Sequence, residues 1–102
     1  MNNTVTANSV LQAASKHMQD RSATYDKPEG ERSMKTTVEA FNAVMGTNIT
    51  EAQGWAFMVF LKAVRAFQRE GYHPDSWEDM SAYVALAAEA KAKEEPQHET
   101  RS

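Results

Sequence analysis

Residues 51–70 read EAQGWAFMVFLKAVRAFQRE, and from Trp55 to Phe67 every position is apolar except Lys62 and Arg65. A helix that is apolar on all sides belongs in a core or in a membrane. The run is too short and too charged for a bilayer, which takes about 20 mostly apolar residues. It therefore reads as the central helix of a small domain. Thr50 opens the pattern Thr50-Glu51-Ala52-Gln53, a capping box with Gln53 at the third helical position, and this sets where the helix begins. Gly54 in the first turn costs about 1 kcal/mol of helix propensity against Ala and would permit a close helix approach. Gly71 ends the helix. Lys62 and Arg65 are three apart and share one face, and burying a cation is costly unless it is paired.

The neighbouring segments also read as helices. After the connector Tyr72-His73-Pro74, a fourth helix is expected over about 76–93. Its start is read as a capping box from Asp75 to Glu78, with Ser76 to Asp79 as the other frame. Trp77, Met80, Tyr83, Val84 and Leu86 to Ala88 supply its apolar content, and Pro96 stops it. So short a connector makes this helix an antiparallel neighbour of the central one, itself expected over about 51–70. Upstream, Met34, Val38, Phe41 and Val44 or Met45 recur at helical spacing over about Glu31 to Met45, and Gly46 is a natural residue to follow the helix end. A first helix is expected from about Ser9 to Arg21, capped by Asn8 or Ser9. Val10, Leu11, Ala14 and Met18 form its stripe, while Lys16, His17, Gln19 and Asp20 face water. Ser22 to Gly30 reads as a loop, because it has turn residues, no periodicity and a Pro28 that disfavours helix at Lys27. No segment reads as a strand. The expected fold is an all-α, small four-helix bundle-like domain over residues 9–95, with flexible ends at 1–8 and 96–102.

Composition bounds the function classes. One hundred and two residues make one domain with a modest core, and 41% hydrophobic residues are enough for a globular chain. A net charge of −3 gives no nucleic-acid signature. The absence of cysteine excludes disulfides and thiolate metal sites and fits a reducing cytoplasm. The segment MNNTVTANSV has neither a basic region nor an apolar run, so no signal peptide is expected, and no membrane association. Trp55, Phe57, Phe60, Phe67 and Trp77 crowd the last two helices. A chain this small leaves some side of its central helix to be covered, so a homo-oligomer is among the expectations.

Two constellations carry chemistry. Folding the chain back near Tyr72 brings Arg65 close to Asp79 and Lys62 close to Tyr83, with Asp75 one turn before Asp79 on the same face, one polar cluster inside an apolar interface. One reading is an ion-pair network that fixes helix register. The other is a phosphate site in which Lys62, Arg65 and Tyr83 hold the anion and Asp75 and Asp79 hold Mg²⁺. The second constellation is the loop carrying Arg21, Thr24, Tyr25 and Lys27, whose cations, hydroxyls and aromatic ring suit closure over a base or a phosphate. Its plainer reading is a connector with Tyr25 packed on the bundle edge. His17, His73 and His98 show no metal-ligand spacing, and no Walker loop, dinucleotide fingerprint or nucleophile elbow occurs.

Taken together, Arg21-x-x-Thr24-Tyr25-x-x-Pro28, Glu31-Arg32-Ser33-Met34, Met58-x-x-x-Lys62-x-x-Arg65 and Asp75-Ser76-x-x-Asp79-x-x-x-Tyr83-x-x-Leu86 resemble a family of small bacteriophage and prophage proteins. The likeness covers roughly residues 10–90, with Asp26 where the wider family usually has Gly. More distantly, the order of motifs is similar to phage nucleotide-modification-associated domains and to the all-α MazG-type pyrophosphohydrolases. Those enzymes hold Mg²⁺ with carboxylates from two helices. Here the first helix reads Gln12-Ala13-Ala14-Ser15-Lys16, with no carboxylate pair. The resemblance implies a protein of the bacterial cytoplasm that binds a nucleotide or other phosphate ligand, a degenerate MazG-like product whose catalytic residues, if it has any, are not identified. The alternative expectation is a non-enzymatic phage protein that binds and modulates a host protein through an exposed helix face.

Overall fold

The structure, a computed structural model, describes residues 4–24 and 33–94; for residues 21–24 the description is of the backbone alone. It is all-α: α1 (Ala7–Thr24), α2 (Ser33–Met45), α3 (Glu51–Gln68) and α4 (Pro74–Glu94). The antiparallel pair α3 and α4 forms the body of the domain; among the described residues α1 packs only on α4, and α2 only on α3. None of these helices is long and apolar enough to cross a membrane.

Local chemistry sets the helix ends. At α3 the expected capping box is present: Thr50 Oγ1 accepts from the Gln53 N–H at 3.1 Å, and the Thr50 N–H donates to Gln53 Oε1 at 2.9 Å. At α1 the box lies earlier than expected. Thr6 Oγ1 accepts from the Ser9 N–H and the Thr6 N–H donates to Ser9 Oγ, both at 3.0 Å, so Thr6 rather than Asn8 or Ser9 closes the turn. The helix also continues through Thr24, because Ser22 to Thr24 hold no residue that breaks it and Pro28 restrains only its immediate predecessor. At α4 neither expected capping frame is used. Pro74 takes the first helical position, where its missing N–H costs nothing, and His73 receives the Ser76 N–H on its carbonyl at 3.2 Å. Glu78 is thereby freed for a contact with another helix.

The α2–α3 corner is held by one side chain. Asn42 Nδ2 donates to the Ile49 carbonyl at 2.9 Å, while Asn42 Oδ1 accepts from the Ile49 N–H at 3.0 Å and from Thr47 Oγ1 at 2.7 Å. Gly46 turns the chain at φ +70°, the left-handed conformation that only glycine adopts without strain. Beyond the corner α2 crosses α3 at Gly54. A Cβ built there would lie 2.5 Å from Met34 Sδ and 2.7 Å from Val38 Cγ2, so the missing side chain is what allows the approach.

The core is small. Ala14, Val38, Trp55, Ala66 and Ala90 are its buried apolar residues among those described, and no large side chain there is completely enclosed. Trp55 stacks on Tyr83 across the α3–α4 interface, with ring centroids 5.5 Å apart and planes inclined by 23°. The central helix is not covered on all sides, as expected of so small a chain. Phe57, Phe60, Val64 and Phe67 are exposed, because among the described residues only α4 and the α2 crossing pack on α3, and they occupy its other faces. Phe41, Val44 and Met45 of α2 and Leu11 of α1, expected to face the core, are exposed for the same reason.

Candidate functional site

Three cations leave successive turns of α3 on one stripe: Lys62, Arg65 and, just past the helix end, Arg69. They face the first two turns of α4, where Asp75 and Asp79 stand one turn apart on a shared face. Between the two elements runs an open groove of about 420 Å³, lined by these five residues together with Gln68, His73 and Ser76.

Lys62 Nζ lies 2.8 Å from Asp79 Oδ2, with the lysine side chain 16% and the aspartate 38% exposed. The pair is half withdrawn from water, so its geometry matters more than that of a surface pair. Arg65 and Arg69 are exposed, and among the described residues neither forms an ion pair, nor does Asp75. Ser76 is buried; its hydroxyl is 3.0 Å from His73 Nδ1, which fixes the His73 ring at the mouth of the groove. A second polar link lies on the far side of α4, where His17 Nε2 of α1 meets Glu78 Oε1 at 2.9 Å. Glu78 is mostly buried there, which explains why it does not cap its own helix.

Lys62, Arg65, Asp75 and Asp79 line one groove, but the register differs from the expected one: Lys62, not Arg65, meets Asp79. Tyr83 is not part of this lining; its ring is spent on Trp55 one turn further along. Tyr25 and Lys27 lie outside the described residues. Arg21 and Thr24 fall in the last turns of α1, and their side chains lie outside the description as well. Among the described residues no group of three His, Cys, Asp or Glu side chains converges to hold a metal ion. Mg²⁺ at Asp75 and Asp79 would need oxygens from a ligand and from water to complete its shell. Sequence reasoning missed Arg69, His73 and Ser76. Arg69 was legible, since it follows Arg65 by four and Lys62 by seven.

The fold and groove define a small all-α domain with a cation-lined cleft at one end of a helical hairpin. The chain belongs to the family described as Domain of unknown function (DUF6378), whose model matches residues 9–91. No curated protein and no solved structure matches it.

Proposed function

We propose that the groove between α3 and α4 binds the phosphate group of a small molecule, foremost a nucleotide. The observation that carries the reading is the stripe Lys62, Arg65 and Arg69 on the wall of one open cleft, in a chain whose net charge is −3. Like charges at such spacing repel, and Asp79 neutralises only Lys62. Two guanidinium groups then remain against one carboxylate, Asp75. Guanidinium groups pair with phosphate oxygens through two parallel hydrogen bonds, and the His73 ring, held by Ser76, adds a polar group at the mouth. The sequence likeness to MazG-type enzymes supports a nucleotide as the phosphate carrier. The missing carboxylate pair in α1 makes binding, rather than hydrolysis, the reading. Asp75 and Asp79 are the residues that would hold a Mg²⁺ arriving with the phosphate.

Thermal unfolding with inorganic phosphate and with nucleoside mono-, di- and triphosphates, each with and without Mg²⁺, tests this. The melting temperature rises with ligand concentration, by the equivalent of about 2.7 kcal/mol at a hundredfold excess over Kd. The matching nucleosides, which lack phosphate, give no rise, and Arg65→Gln with Arg69→Gln removes it. A flat response to every phosphate, with or without Mg²⁺, would leave Lys62 and Asp79 as a register-setting pair only.

A further inference from the structure

The face of α3 that α4 leaves largely open carries Phe57, Phe60, Val64 and, at its edge, Phe67, spaced three, four and three apart. That is the seam spacing of a coiled coil, in which each apolar side chain fits a hole in a facing helix. In the single chain the seam is open: Phe57, Phe60 and Phe67 are 67%, 68% and 77% exposed, and Val64 is half exposed. Phe67 meets Trp77 edge-on at 5.4 Å and has no other ring partner among the described residues.

We propose that this face seats a second copy of the chain, with the two α3 helices antiparallel about a twofold axis level with residue 62. Three observations select that occupant. The first is register. Reversing the seam about residue 62 places Phe57 opposite the partner's Phe67 and Phe60 opposite the partner's Val64, so the face is complementary to itself, as a twofold interface requires. The second is charge. Within α3 only Glu51, Lys62 and Arg65 are charged; Lys62 is held by Asp79 and Arg65 lines the groove, both away from the seam. Pairing therefore buries no unmatched ion. The third is area. At ~200 Å² per aromatic side chain, the exposed fractions leave roughly 500 Å² of apolar surface on the four seam residues. That is as large as the biggest patch on an ordinary monomer, about 300–600 Å². Two such faces with their flanks reach the lower range of stable interfaces, about 1,200 Å² in total. The small core points the same way, since obligate dimers resemble a domain core cut in half. This proposal is independent of the phosphate reading.

Light scattering of the full chain at micromolar concentration tests it. The expected mass is twice the 11.4 kDa of one chain. Phe60→Glu returns it to the single-chain value with its helical circular dichroism retained, because Phe60 is largely exposed within its own chain. The absence of native cysteine allows a second test of orientation. Chains carrying Phe60→Cys and Val64→Cys, mixed and oxidised, give the crosslinked heterodimer in preference to either homodimer. A monomeric wild-type chain would overturn the proposal and leave the seam to a different protein. A dimer that survives Phe60→Glu, or one that crosslinks as homodimers, would overturn it as well. Should Phe60→Glu not fold, the crosslinking pattern decides.

Discussion

Gly54→Ala is the substitution on which the packing argument can be judged most sharply, because two effects of opposite sign meet at one atom. In an isolated helix the change is favourable by about 1 kcal/mol. In this fold the new methyl falls 2.5 Å from Met34 Sδ and 2.7 Å from Val38 Cγ2, where ordinary carbon contacts sit at about 3.5–4.0 Å. Met34 is flexible enough to turn aside. Val38 is buried and branched at Cβ, so it holds its place unless α2 shifts by roughly 1 Å. Overpacking of this kind costs about 1–3 kcal/mol, and after the propensity gain the net loss is about 1 kcal/mol. For a domain of this length that lowers the melting temperature by about 4–8 °C. Thermal unfolding by circular dichroism at fixed chain concentration reads the change. In a Val38→Ala background the same substitution is less harmful, since its main obstacle has gone, and the coupling between the two sites is the signature of the contact. A Gly54→Ala chain that melts higher than the wild type would refute the close crossing of α2 over α3.

Other expectations follow from single contacts. Lys62→Met and Asp79→Asn each cost about 1 kcal/mol, between the values for exposed and buried pairs; the double variant costs less than their sum in urea unfolding. Asn42→Ala removes three hydrogen bonds at the α2–α3 corner and costs about 2–3 kcal/mol in the same assay, with the loss of amide protection greatest in α2. His17→Ala strips the mostly buried Glu78 carboxylate of its partner at a cost of about 1–2 kcal/mol, and hydrogen exchange then rises in α1 and not in α2. Thr50→Ala breaks the α3 capping box and costs about 1 kcal/mol, read by thermal unfolding.

What was legible in the sequence is what short range decides. The Thr50–Gln53 box, the turn at Gly46 and the antiparallel return after Gly71 all follow from residues within one or two turns of each other, or from one short connector; the exact pairing across the return does not, since Lys62 rather than Arg65 meets Asp79. The start of α4 was misread because Asp75 and Glu78 suit a capping box equally well on paper. Pro74 decides it by fitting the first helical position. An open side of α3 was expected from the length of the chain, but not which residues would form it. An apolar residue records what it prefers, not what is available to cover it, and among the described residues α3 has only α4 and the crossing at Gly54. The link between His17 and Glu78 joins residues 61 apart, and no local pattern announces such a pair. Arg69 shows the opposite fault, the continuation of a local stripe from Lys62 and Arg65 that was overlooked.

The two outer helices have separate footings, α1 on α4 and α2 on α3. Among the described residues neither packs on the other, so the footing of one loosens without breaking a contact of its counterpart. Lifting either one bares one side of the hairpin and leaves the Trp55–Tyr83 stack joined.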